Sequence, residues 1–107
     1  MEMMKDMQAR QGDVLLVPVA RRPETAVRQA RCVLAEGEVT GHLHEVTDAA
    51  TATLWVDPDG TRYLEVLGEH AVVTHPEHNP FILAGPALYR VVRQREYTPE
   101  ETRRVSD

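Results

Sequence analysis

Short apolar runs, each bounded by glycine or proline, limit most strongly what this 107-residue chain can fold into. The runs at residues 14–17, 71–74 and 81–83 are too short for an average helix but long enough for a strand. Prolines stand near the ends of these runs, where a lost ladder hydrogen bond is tolerated best. Runs that recur at roughly 8–12 residues predict a mainly β fold, a small antiparallel barrel or sandwich of about seven strands.

The clearest turn signal lies between residues 51–56 and 61–66. The tetrapeptide Asp57-Pro58-Asp59-Gly60 has proline at its second position and glycine at its fourth, as a type I turn prefers. This pattern predicts a β-hairpin. Residues 21–31 lack an apolar stripe, so we interpret them as a loop with room for one helical turn after Pro23.

The chain has room for one domain. Residues 1–10 are interpreted as a leader, 11–97 as a single β domain and 98–107 as a tail. Thr98-Pro99-Glu100-Glu101 has the pattern of a capping box and predicts a short C-terminal helix. A hydrophobic fraction of 42% and a charged fraction of 27% are those of a globular protein, so disorder is not expected.

The net charge of the chain bears on its binding partners, and its cysteine content bears on its cellular compartment. A formal charge of −5 argues against a general nucleic-acid binder. The lone Cys32 lies in an apolar run, where a buried, inert thiol is expected, and it fits a reducing compartment. No apolar stretch approaches the ~20 residues that span a bilayer, and the N-terminus does not have the pattern of a signal peptide. The cytoplasm is the expected location.

Four of the five histidines fall in two tight groups. His42 and His44 share one face of an extended segment, with Cα atoms ~6.6 Å apart. His75 and His78 lie beside two prolines, where a turn of the chain lets them approach one point. The fifth, His70, is assigned to the surface.

Three or four imidazoles on a β scaffold suit Zn²⁺, Fe²⁺, Mn²⁺, Ni²⁺ or Cu²⁺. Three protein ligands would leave a position for water or substrate, whereas four would close the site. Glu45, Glu77 or Asp48 could accept a proton from a metal-bound water, or Glu45 or Glu77 could add an oxygen ligand. The alternative is that the histidines are hydrogen-bonded polar residues under a loop.

The run from Gly37 to Asp48 resembles the first motif of the cupins, small β-barrels that bind a divalent metal. That motif has a glycine, then His-x-His, then a carboxylate, and Asp48 stands where cupins usually carry glutamate. His75 and Asn79 have the spacing of the second motif. The resemblance implies His42, His44 and His75 as metal ligands, and His78 and Asp48 complete the predicted ligand set. The chain departs from the cupin pattern in two places. Gly37 is one residue too close to His42, and no Pro-x-Gly precedes His75.

Most of residues 11–97 resembles a group of short uncharacterised bacterial proteins. Their shared segments match Gln11-Gly12-Asp13-Val14, Thr40-Gly41-His42-Leu43-His44, His75-Pro76-Glu77-His78-Asn79-Pro80, Tyr89-Arg90-Val91 and Arg93-Gln94-Arg95-Glu96-Tyr97. No activity is established for the group, so the resemblance implies a common fold and no function.

The last predicted strand is rich in arginine. Strict alternation puts Tyr89, Val91, Arg93, Arg95 and Tyr97 on one face, which suggests a strand that leaves the core and becomes a sheet edge. A charged edge discourages unwanted pairing, or it could dock a second subunit or an acidic partner.

Two hypotheses follow. The first is a small metal-binding β-barrel protein that could act on a small molecule. The second is a non-enzymatic β module that forms a homo-oligomer, or docks to a larger protein, through its arginine-rich edge and C-terminal tail.

Overall fold

The computed structural model describes residues 9–36 and 42–93 of the chain. These residues form ten short strands. In chain order they are β1 (Ala9–Gln11), β2 (Val14–Pro18), β3 (Val27–Arg28), β4 (Cys32–Glu36), β5 (Leu43–Val46), β6 (Ala52–Val56), β7 (Arg62–Val66), β8 (His70–Val73), β9 (Phe81–Ala84) and β10 (Ala87–Arg93).

The strands form one large sheet and two strand pairs, all antiparallel. The large sheet has the order β1-β2-β10-β7-β6-β3, and the pairs are β4-β5 and β8-β9. A bridge between Glu45 and Thr74 joins the two pairs. The predicted mainly β, antiparallel fold is confirmed, but the described strands do not close into a barrel.

One apolar core lies between the large sheet and the two strand pairs. Leu16 and Leu64 from the large sheet, Leu34 from β4 and Leu83 from β9 are each at most 2% exposed. Burying one such side chain stabilises a fold by about 1.5–3 kcal/mol. Tyr89 is fully buried beside them, and its hydroxyl donates to the Ala84 carbonyl at 2.9 Å. The core therefore holds all three sheets together.

The predicted hairpin is present between β6 and β7. Gly60 N donates to the Asp57 carbonyl at 2.8 Å, and Asp57 N donates to Thr61 at 2.9 Å. Gly60 has a φ of +92°, which glycine adopts without steric penalty.

The strand predicted to leave the core and become an edge is interior only in its middle, because β7 pairs with residues 87–91 and β2 with residues 89–93. Residues 89–91 are therefore paired on both sides, and within the described part of the chain residues 92–93 are paired with β2 alone, as the sequence predicts for a strand that becomes an edge. Two features let a charged strand lie inside a sheet. Arg90 points away from the core and is exposed. Arg93 donates to Asp13 and to the Glu36 carbonyl, so its half-buried guanidinium has partners. Residues 94–97, which complete the predicted edge, lie outside the described residues.

The remaining sequence predictions have mixed outcomes. Residues 21–31 contain no helix but a turn, in which Ala26 N donates to the Pro23 carbonyl at 3.1 Å, followed by β3. β1 was not predicted, and it includes Ala9 and Arg10, which the sequence assigned to the leader. Cys32 is buried, as expected. The predicted C-terminal helix lies outside the described residues. The described residues contain no helix that is long and apolar enough to cross a membrane.

Candidate functional site

The two histidine groups form one cluster of four rings. The His75 ring centroid lies 4.2 Å from that of His44, 4.6 Å from His78 and 5.7 Å from His42. The centroids of His44 and His78 are 6.0 Å apart. His75 therefore contacts all three other rings, although 31 residues separate it from His44 in the sequence (75 minus 44).

The bridge between the two strand pairs brings these rings together. Glu45 N donates to the Thr74 carbonyl at 3.1 Å, and Thr74 N donates back to Glu45 at 2.8 Å. His44 precedes one bridged residue and His75 follows the other. His44 shares the inward face of β5 with Val46, so its side chain is only 3% exposed.

Gln11, at the end of β1, fixes the hydrogen-bonding state of His44. Its side-chain nitrogen donates to the carbonyls of Val73 at 3.1 Å and Asn79 at 2.9 Å. Its side-chain oxygen therefore faces Nδ1 of His44, 2.9 Å away. Because this oxygen can only accept, Nδ1 of His44 carries a proton and donates it. In the neutral ring the lone pair is then on Nε2.

Asp13, in the turn between β1 and β2, lies beside that lone pair. Its Oδ1 is 3.8 Å from Nε2 of His44. Its Oδ2 accepts two hydrogen bonds from Arg93, from Nε at 3.2 Å and from Nη2 at 2.8 Å. The third guanidinium nitrogen of Arg93, Nη1, donates to the Glu36 carbonyl at 3.1 Å. The guanidinium thus connects the β1–β2 turn, β10 and β4.

The surroundings keep His44 and His75 neutral and Asp13 charged. Burial, and then the neighbouring His75, lower the pKa of His44 from 6.5 to about 4. Burial and His78 also lower the pKa of His75. Burial opposes ionisation of Asp13, but the hydrogen bonds and charge of Arg93 outweigh it and lower that pKa. At neutral pH the cluster therefore offers imidazole lone pairs beside one carboxylate.

His78 is held against the same turn. Gly12 has a φ of +61°, and a Cβ at this position would come within 2.6 Å of Nε2 of His78. The tripeptide Gln11-Gly12-Asp13 therefore contacts the cluster at each residue. In the sequence these residues only precede the apolar run at 14–17, and no local pattern connects them with the histidines. Their importance was indicated only by the fact that Gln11-Gly12-Asp13 belongs to a segment shared with the group of short bacterial proteins that the chain resembles.

The carboxylates proposed from sequence lie in different places. Glu77 Oε2 is 3.7 Å from Nδ1 of His42. Glu45 points outward from β5 and forms an ion pair with Arg31 at 2.8 Å. Asp48 lies in the turn after β5, where its carboxylate accepts a hydrogen bond from Ala50 N at 3.1 Å. His70, assigned to the surface, is exposed at the start of β8.

An open groove of about 520 Å³ adjoins the rings. It is lined by His42, Leu43, Glu45, Thr74, His75 and Pro76. Two members of the cluster therefore face a space large enough for water or a small molecule.

Within residues 9–36 and 42–93, no group of three or more His, Cys, Asp or Glu side chains is placed so that it could hold a metal ion without side-chain movement. Two features of the rings account for this. His75 Nδ1 accepts a hydrogen bond from Glu77 N at 3.0 Å, so the neutral ring carries its proton on Nε2. The His44 and His78 rings are stacked, with 17° between their planes, and their in-plane lone pairs do not converge.

Comparison with known proteins gives one match. The model of a family described as "Domain of unknown function (DUF8820)" matches residues 10–94, which include the four clustered histidines, Gln11, Asp13 and Arg93. No curated protein and no solved structure matches the chain.

Proposed function

Because the chain belongs to the DUF8820 family, a domain of unknown function, we propose its function from the site itself: it binds a divalent transition metal in the histidine cluster. The ligands come from His42, His44, His75 and His78. The observation that carries this proposal is that these four rings, from two separate segments, lie within 6.0 Å of a neighbour in the cluster.

His44 has the properties of a metal ligand in its present position. It is neutral at pH 7, and a metal ion binds the neutral imidazole. Its Nδ1 proton is donated to Gln11, and ligating histidines commonly donate their other ring proton to such a partner. Its Nε2 lone pair is therefore directed toward the site.

The other rings must turn when the metal binds. His75 has to release the hydrogen bond from Glu77 N before either of its ring nitrogens can serve as a ligand while the ring stays neutral. His78 has to leave its stacked position against His44. His75 is half-exposed and His78 exposed, and side chains near solvent change rotamer in picoseconds to nanoseconds. The cluster thus closes around the ion by side-chain movement.

The groove beside His42 and His75 suits an open site. With three protein ligands, a tetrahedral ion keeps one position for water or for a small molecule. A water in that position would lie near Glu77, whose carboxylate could accept its proton.

Metal titration of protein purified without a histidine tag tests the proposal. At 100 times the dissociation constant, a bound metal stabilises a fold by about 2.7 kcal/mol. For a domain of this size we expect the melting temperature to rise by roughly 10 °C with at least one of Zn²⁺, Mn²⁺, Fe²⁺ and Ni²⁺.

Matched variants identify the ligands. His42→Ala and His44→Gln should remove the metal-dependent rise, whereas His70→Gln, at an exposed position of β8, should keep it. If no metal changes the melting temperature of the unaltered protein, the proposed function is wrong. Equal losses in all three variants would contradict the assignment of the ligands.

A further inference from the structure

Two hydrogen-bond acceptors face each other across a short gap in the site. Nε2 of His44 carries a lone pair, because Nδ1 holds the proton that Gln11 accepts. Oδ1 of Asp13, on an ionised carboxylate, is 3.8 Å away. Two acceptors do not stabilise each other directly, so this arrangement favours a cation or a donor between them.

We infer that Asp13 is the carboxylate ligand of the metal site and that Arg93 is its positioning residue. The inference rests on the proposed function and extends it by one ligand outside the histidine cluster. The cupin-like pattern implied Asp48 for the corresponding carboxylate, and Asp48 instead caps a turn after β5.

The distance between the two atoms fits a shared ion after a small adjustment. Nitrogen and oxygen ligands at about 2.0–2.2 Å from a tetrahedral zinc lie roughly 3.4 Å apart. The observed separation is 3.8 Å, so a few tenths of an ångström of movement at Asp13 is sufficient. The side chain of Asp13 is 43% exposed and that of His44 is 3% exposed, so an ion would enter from the Asp13 side.

Arg93 orients the carboxylate without competing for the ligand oxygen. Both of its hydrogen bonds to Asp13 go to Oδ2, and Oδ1 is the oxygen that faces His44. Its Nη1 is held by the Glu36 carbonyl, so the guanidinium itself is fixed. Ligating carboxylates are commonly held by such outer hydrogen bonds, and losing one weakens metal binding about 10–100-fold.

Cobalt titration of the full chain separates Asp13 from Asp48. Co²⁺ takes the same ligand types as Zn²⁺, and its visible absorption reports the number and kind of its ligands. Asp13→Asn should bind Co²⁺ at least 10-fold more weakly and change the spectrum, whereas the matched Asp48→Asn should leave both affinity and spectrum unchanged. Arg93→Gln should weaken binding with the spectrum retained, and Arg93→Lys should restore only part of the affinity, because lysine lacks the two-pronged geometry.

A measurement on the unaltered protein avoids dependence on the folding of these variants. The side-chain carboxyl carbon of Asp13 should shift in ¹³C NMR on addition of Zn²⁺, and that of Asp48 should not. No shift at Asp13, or unchanged cobalt affinity and spectrum in Asp13→Asn, would overturn the inference while metal binding by the histidines stands. If the unaltered protein binds none of Co²⁺, Zn²⁺, Mn²⁺, Fe²⁺ and Ni²⁺, the proposed function itself fails.

Discussion

Gln11 and His44 are joined by a 2.9 Å hydrogen bond between two buried side chains that lie 33 residues apart in the chain. The same glutamine donates to the carbonyls of Val73 and Asn79, on either side of the loop that carries His75 and His78. One side chain thus ties β1 to both segments that supply the clustered histidines. It also selects the ring nitrogen of His44 that keeps its lone pair.

Replacing Gln11 by methionine should destabilise the fold and release the His44 ring. The variant leaves two carbonyls and Nδ1 of His44 without this partner, and each unsatisfied buried group costs about 1–3 kcal/mol. Because the loop carbonyls can move toward water, we expect a total loss of about 3 kcal/mol in urea unfolding. The ¹⁵N chemical shifts of His44 should change from one tautomer to a mixture. Gln29→Met, at an exposed position, is the control and should lose under about 0.5 kcal/mol.

Glycine is required at position 12 both for its positive φ and for the space that His78 occupies, and comparison with Gly60 separates these two effects. Gly12 and Gly60 both have positive φ, so alanine at either should cost about 1 kcal/mol or more. Only at Gly12 would the added Cβ overlap a neighbour, the ring of His78, since nothing lies within 4 Å at Gly60. Gly12→Ala should therefore be the more destabilising variant in urea unfolding, and only it should alter the NMR signals of His78. Equal effects at both positions would show that His78 does not rest against this turn.

Local patterns were sufficient to predict most strands and the residues of the histidine cluster. The Asp57–Gly60 turn carries its own signal, and β2 and β9 are short apolar runs between breakers. The same patterns could not show that residues 89–91 of β10 are paired on both sides. Arg90 and Arg93 give the sequence of an edge, and their partners, solvent and Asp13, depend on the three-dimensional fold.

The site residues that sequence reasoning missed are those whose role depends on distant contacts. Asp13 and Arg93 are 80 residues apart, and neither has a motif that pairs it with the other. Gln11 is a polar residue that is only 5% exposed, and its burial becomes apparent only when β1 packs beside the loop after β8. Asp48 fits the spacing of the cupin motif, yet its carboxylate accepts a hydrogen bond from Ala50 N within its own turn, as aspartate commonly does.

Arg62 should stabilise the irregular part of β4. Its Nη1 donates to the carbonyls of Val33 at 3.2 Å and Leu34 at 3.0 Å, where the β4–β5 register shifts. Hydrogen bonds to a charged group contribute about 1.5–3 kcal/mol, so Arg62→Met should lose roughly 2 kcal/mol. Hydrogen exchange should accelerate in β4. Arg90→Met, on an exposed side chain of β10, is the matched control, and a similar loss there would contradict the role assigned to Arg62.

The metal-free protein should become less stable as the pH falls from 7 to 5. The folded pKa of His44, about 4, lies below its ordinary value of 6.5, so between these values the unfolded chain binds more protons than the folded protein. The stabilisation from neutral His44 is therefore fully present above pH 6.5 and is lost progressively as the pH falls toward 4. Between pH 7 and 5 this amounts to about 2 kcal/mol in the free energy of unfolding. The lowered pKa of Asp13 does not contribute to this change, because the stabilisation that comes from ionised Asp13 is lost only below about pH 3.8.

Urea unfolding at both pH values, in the presence of a chelator, measures the change in the free energy of unfolding. His44→Gln, which keeps a donor toward Gln11, should lose the larger part of the pH dependence, and the remainder comes from His75, whose pKa burial also lowers. An unchanged dependence in that variant would assign it to other groups.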